Sequence, residues 1–141
     1  MTWMISHTLV HPGILSALAS AGHGSTVLVA DANYPFRTVV GPNAAVVYLN
    51  LRPGLVGAED VLEALVSAVV VESAAVMVPG EGPEPEIFAD FRRLLPGLEL
   101  TELDRQEFYA ASRSEDLALL VATGEQRIFS NVLLTLGVVG A

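Results

Sequence analysis

Short apolar runs alternate along this chain with stretches whose apolar positions recur at helical spacing. Pro12 opens the first periodic stretch, in which Ile14, Leu15, Leu18 and Ala19 follow helical register and Gly22 ends the helix. Thr26 to Ala30 is an apolar run closed by Asp31, the pattern of a buried strand. Ala32 to Asn43 holds Pro35, Gly41 and Pro42 and reads as a loop. Ala45 to Leu49 is a second strand and Pro53 to Gly57 a turn. Glu59 to Val71 reads as a helix with Val61, Leu62, Leu65, Val66 and Val69 on one face, followed by a third strand from Ala74 to Val78. Pro79 to Pro85 is a connection rich in breakers, without the glycine spacing and lysine of a phosphate cradle.

Glu86 to Leu95 is the next helix, with Ile87, Phe88 and Phe91 inward, and Glu99 to Leu103 a short fourth strand. Asp104 and Glu107 make an acidic variant of the capping box, opening a helix that runs to about Ser112. Leu117 to Ala122 and Asn131 to Leu136 are the fifth and last strands, separated by a turn at Gly124 to Arg127. Met1 to Met4 is a ragged start, in which Trp3 either covers a neighbouring surface or lies in a disordered tail. Strands alternating with helices predict a layered α/β fold, a mostly buried sheet flanked by helices. The length predicts one domain over residues 1–141. The order of strands in the sheet does not follow from the pattern.

Composition changes this picture in two ways. Hydrophobic residues make up 52% of the chain and charged residues 16%, an apolar balance for so small a domain. It predicts surface buried against other copies of the chain, or else a tight core under an Ala- and Gly-rich surface. The net charge of −9, with only seven Lys and Arg, argues against nucleic acid and anionic membranes as partners. With no cysteine there are no disulfides and no thiolate metal sites, which fits a cytoplasmic location. No signal peptide is expected from the first residues. The apolar run within Leu62 to Val78 is interrupted by Glu63, Ser67, Glu72 and Ser73 and falls short of a membrane span.

The candidate chemistry begins at Gly22-His23-Gly24, a glycine-flanked histidine in the turn that enters the first strand, with Asp31 where that strand meets a loop. A base that titrates near neutrality and a carboxylate, both on turns, are parts suited to moving protons. His7 and His11 read as surface or capping residues. Their spacing of four would suit a metal only on a helix, and Pro12 argues against that helix.

These motifs, together with Leu103-Asp104-Arg105-Gln106-Glu107-Phe108-Tyr109 and Thr123-Gly124-Glu125 through Asn131 to Leu134, resemble the ribose pyranase and fucose mutarotase family over about Ile5 to Val138. The resemblance implies an enzyme that interconverts cyclic forms of a reducing monosaccharide, with no cofactor and no metal. It also implies a homo-oligomer, commonly a decameric ring, with sites shared between subunits. His23 would be the proton donor, the other reading being a turn histidine satisfied by backbone groups. Asp31 would bind sugar hydroxyls, or else cap the loop amides that follow it. Arg105, just before Phe108 and Tyr109, matches the fucose-type members and tips the reading toward an L-fucose-like substrate; an ion pair with Asp104 or Glu102 is its other reading.

Two departures stand out. Phe129-Ser130-Asn131 replaces the family's usual Tyr-x-Asn, keeping the ring and Asn131 but losing the phenol, which Tyr34 or Tyr109 would have to supply. Ser25 stands where many members carry Asp, which removes a carboxylate from beside His23. The expected sugar contacts are therefore Asp31, Arg105, Phe129, Ser130 and Asn131, with His23 and Asp31 as the acid–base pair. An extended Thr26–Ala30 would hold those two roughly 20 Å apart at about 3.3 Å per residue. Either the segment bends sharply or neighbouring subunits bring the two groups together. A non-catalytic sugar-binding module, or a purely structural oligomer, would share the same motifs.

Overall fold

The computed structural model of the protein describes residues 4–140, so Trp3 lies outside the described residues. Helices α1 (Pro12–Ser20), α2 (Ala58–Val66), α3 (Phe88–Leu94) and α4 (Arg105–Ser112) alternate with strands β1 (Thr26–Ala30), β2 (Ala45–Tyr48), β3 (Val71–Met77), β4 (Leu100–Leu103), β5 (Leu117–Ala122) and β6 (Val132–Leu136). The strands form one six-stranded sheet in the order β2-β5-β1-β6-β3-β4. β1 runs parallel to β5, β5 to β2, and β3 to β4, while β6 lies antiparallel between β1 and β3. The layered α/β fold expected from the chain is thus the fold observed.

Side-chain alternation builds two cores, one on each face of the sheet. Val27, Val29, Leu119 and Val121 face one way, toward Ile14, Leu62, Leu65, Phe88 and Phe91 of α1, α2 and α3. Leu28, Ala30, Leu120 and Ala122 face the other, toward Phe108 of α4 and Tyr34 and Val39 of the loop after β1. The central strands read as continuous apolar runs because both faces are covered.

The caps follow the sequence closely. His11 closes the N-terminus of α1, its Nδ1 accepting from the Ile14 N–H at 3.2 Å, with Pro12 in the first turn. At α4 the Asp104 carboxylate accepts from the Glu107 N–H at 2.8 Å, and the Glu107 carboxylate from the Asp104 N–H at 2.9 Å. One boundary departs. The expected helix Glu59–Val71 ends at Val66, and the third strand starts at Val71 instead of Ala74. Ser67 turns its hydroxyl back to the Ala64 carbonyl at the helix end. The β-branched Val69-Val70-Val71 that follows is then drawn to the sheet, where Val71 pairs with Leu136. Among the described residues no helix is long and apolar enough to cross a membrane.

Candidate functional site

Because β6 alone runs against the others, one edge of the sheet collects the C-terminal ends of five strands and the start of β6. Ligands of open α/β sheets bind at such edges. Here the edge carries a cavity of about 200 Å³ lined by Asp31, Asn33, Tyr34, Met77, Arg105, Tyr109, Ile128, Phe129 and Asn131. That is smaller than the roughly 300–1,000 Å³ that holds drug-sized ligands, and suits a compact polar molecule. A second cavity of about 460 Å³ beside it shares Asn33 and is lined also by Asn50, Arg52 and Gln126.

Asp31 is the polar centre of the cavity and is only 3% exposed. Its Oδ1 accepts from the Asn33 N–H at 3.0 Å; its Oδ2 accepts from the Ser130 N–H at 3.1 Å and the Asn131 amide at 3.3 Å. The Asp31 N–H in turn donates to Asn131 Oδ1 at 2.7 Å. At least three of a carboxylate's roughly four acceptor positions are filled by the protein, and the group still lines the cavity. Burial pushes this carboxyl above the usual carboxylate range, against the lowering effect of those hydrogen bonds. A raised carboxyl is a better proton acceptor near neutrality. Asp31 thus caps its loop and also faces the cavity, so its two sequence readings are compatible.

Phe129 has φ 55°, in the left-handed region that a bulky side chain seldom occupies. Such a conformation costs on the order of 1–3 kcal/mol and persists where the surroundings determine it. Here the flanking backbone is clamped. Ser130 and Asn131 hold Asp31, and the Arg127 guanidinium just upstream binds Glu125, Asp90 and Glu59 at 3.0–3.1 Å. Phe129 thereby becomes part of the cavity wall. Ser130 does not line the cavity: it is buried, its hydroxyl lies 3.4 Å from the Ile128 carbonyl, and it serves the site through its N–H. Arg105 is exposed at the first position of α4 and lines the cavity, and no ion pair to Asp104 or Glu102 is present.

The two tyrosines named as substitutes for the missing phenol differ. Tyr34 is buried and donates to the Val39 carbonyl at 2.8 Å, and burial pushes its phenol up to about 12. Tyr109 packs edge-on against the Tyr34 ring, centroids 5.6 Å apart, and also lines the cavity.

His23 lies at the other edge of the sheet, before the N-terminus of β1, with its side chain 60% exposed. Its Nε2 is 2.8 Å from Glu72 Oε1 of β3. Within one chain the structure brings Asp31, Arg105, Phe129 and Asn131 together and leaves His23 apart, at the far end of an extended strand. Glu72 was legible in the chain only as a charge interrupting an apolar run. Its partnership with His23 depends on a strand pairing that local sequence does not carry. Ser25 accepts from the Gly22 N–H through its hydroxyl.

Thr123-Gly124-Glu125 turns out to be scaffolding for the cavity. The Thr123 hydroxyl donates to the Ala30 carbonyl at 2.6 Å. A Cβ on Gly124 would lie 2.2 Å from the Leu55 carbonyl oxygen, so only glycine fits. Glu125 accepts from the Ala58 N–H at the start of α2. Burial raises the Glu125 carboxyl, but hydrogen bonds from Arg127 and Ala58 outweigh that and hold it below the usual range. Among the described residues no group of three or more His, Cys, Asp or Glu side chains is gathered to hold a metal ion.

The comparisons with known proteins agree with this architecture. Residues 4–139 match the RbsD / FucU transport protein family. The chain is 36% identical over 130 residues to D-ribose pyranase 1 of Rubrobacter xylanophilus, covering 92% of this chain and 95% of that one. It is 38% identical over 125 residues to D-ribose pyranase of Streptomyces avermitilis, covering 89% and 91%. Among solved structures, Bacillus subtilis RbsD complexed with D-ribose superposes with a TM-score of 0.82 at 25% identity, covering 96% of this chain and 99% of that one. Fucose mutarotase from Streptococcus pneumoniae in complex with L-fucose superposes at 0.76 with 27% identity, covering 92% and 94%. The chain belongs to the RbsD / FucU transport protein family, whose ribose pyranase and fucose mutarotase relatives are isomerases of sugar anomers.

Proposed function

We propose that this protein is a mutarotase that opens and recloses the ring of a reducing monosaccharide, in a site completed by two copies of the chain. The observation that carries the reading is the edge cavity, which the buried Asp31 carboxylate lines together with Asn131, Arg105 and Phe129. Asp31 takes the proton of the anomeric hydroxyl as the C1–O bond to the ring oxygen breaks and the carbonyl forms. His23 of a neighbouring copy gives its proton to the ring oxygen. Reclosure on the other face of the carbonyl reverses both transfers, so no electron or group leaves and both side chains return to their starting states. Asn131 and Arg105 hold sugar hydroxyls, Phe129 covers an apolar face of the ring, and Ser130 keeps Asp31 in place.

Exposed apolar residues at both edges support the shared site. Ile128 lines the cavity and Leu51 stands between Asn50 and Arg52 beside it, while the Val70 carbonyl accepts from the Gly137 N–H next to the His23 turn and Val138 and Val139 follow Gly137. A head-to-tail contact would bury both sets and bring His23 to the cavity of the next copy, and such a contact generates a ring where its rotation closes. We infer a decamer, acting in the cytoplasm.

For the substrate, Arg105 at the cavity favours L-fucose or a related sugar. A second reading, D-ribose, draws on the names of the relatives at 36% and 38% identity. Saturation-transfer NMR of anomer exchange in L-fucose and D-ribose tests both. Exchange well above buffer in one sugar, lost in His23→Ala and Asp31→Ala, is the expected result. Tight binding with exchange no faster than buffer would instead mark a sugar-binding module.

A further inference from the structure

We propose that Glu72 is the positioning residue for His23, a carboxylate brought from another strand to orient the imidazole. The inference rests on the reading of His23 as proton donor. Three independent features of the fold converge on the contact. The first is topology: β6 pairs with β1 on one side and β3 on the other, so its C-terminal end lies beside the start of both. Leu136 bonds the turn on one side, its carbonyl accepting from the Gly24 N–H, while the Gly137 N–H reaches the Val70 carbonyl on the other.

The second feature is a bulge. Val71 pairs with Leu136 and Ser73 with Thr135, which leaves Glu72 as the additional residue of β3. A bulge re-aims the side chain it carries. Here it releases Glu72 from the alternation that would place it with Ala74 and Val76, both of which pack in the core beneath α2 and α3.

The third feature is a glycine at the crossing point. A Cβ on Gly137 would lie 3.2 Å from the Glu72 Cβ and 3.5 Å from its Oε1. Glycine leaves open the path along which the carboxylate reaches His23 Nε2 at 2.8 Å. An exposed ion pair adds little to stability, so holding the fold together is a weak reason for such placement. Orientation is a better one. A carboxylate that accepts the Nε2 proton fixes the ring and the tautomer, and leaves Nδ1 as the nitrogen that exchanges its proton with the sugar.

The test combines anomer-exchange kinetics with ¹⁵N NMR of the imidazoles, His23 being assigned by its loss in His23→Ala. In the wild type the neutral His23 ring carries its proton on Nε2. Glu72→Ala shifts it toward a tautomer mixture and lowers the rate at saturating sugar by about tenfold to a hundredfold, part of what a general acid contributes, with KM little changed. Glu72→Asp restores part of the rate. Gly137→Val, which obstructs the contact while leaving both ionisable groups, gives the same spectral shift and the same loss. Unchanged His23 nitrogen signals in Glu72→Ala, or an unchanged saturating rate in an otherwise active enzyme, overturn the proposal and leave the mutarotase reading standing. A wild-type chain that does not accelerate exchange in any sugar overturns the mutarotase reading itself, and the catalytic part of this proposal with it.

Discussion

Asp31 carries two loads, and they conflict. It holds the loop and the start of β6 through three accepted hydrogen bonds, and it does so buried, where a charge is disfavoured. The sign of the resulting pH dependence follows. Below the unfolded carboxyl value of about 3.9 the group is protonated in both states and imposes no penalty. As pH rises through the higher folded value, the ionised form accumulates at a desolvation cost, and folding stability falls. Urea denaturation across that window should show wild-type stability declining relative to Asp31→Asn, while the variant loses anomer exchange. The phenols separate in the same manner. Tyr34→Phe removes the donor to the Val39 carbonyl and should show chiefly as about 1 kcal/mol of lost stability. Tyr109→Phe should show chiefly in the exchange rate if its hydroxyl stands in for the one absent at Phe129.

Among the elements, the segment from Thr123 to Asn131 matters most to the cavity. It fastens the end of β5 to the Ala30 carbonyl, caps the start of α2 through Glu125, and delivers Phe129 in a strained conformation. Gly124 is its tightest point, pressed against the backbone carbonyls of Arg52 and Leu55. A methyl group there has no flexible side chain to displace. Gly124→Ala should therefore destabilise the fold by about 3 kcal/mol or more, at the upper end of overpacking effects, read as a fall in the urea midpoint. The capping box of α4 has a related role, since it sets where the helix begins and so where Arg105 stands beside the cavity.

At the scale of the whole molecule, the separation of His23 from Asp31 is the organising fact. The two occupy opposite ends of β1, and a straight strand cannot bring them together. If copies meet edge to edge as proposed, each site takes its histidine from one chain and its aspartate from the next. Mixing and reassembling His23→Ala with Asp31→Ala, each inactive alone, should then restore about a quarter of the wild-type rate by random pairing at head-to-tail contacts. No recovery after verified exchange of subunits would count against the shared site.

Much of this was written locally. The positions of β1 and β5, the caps of α1 and α4, and the pairing of an apolar run with Asp31 follow from side-chain period and turn chemistry, which act over a few residues. The end of α2 did not, because Val69-Val70-Val71 fits a helical face as well as a strand until β6 supplies a partner. Nor did the joining of Asp31 to Ser130 and Asn131, some hundred positions along, or of Glu72 to His23. Those contacts exist only because β6 inserts antiparallel between β1 and β3, and strand order is a matter of how whole faces are buried rather than of any one stretch of chain. The residue types with the means for proton transfer were present in the sequence; which of them face one another was decided by the sheet.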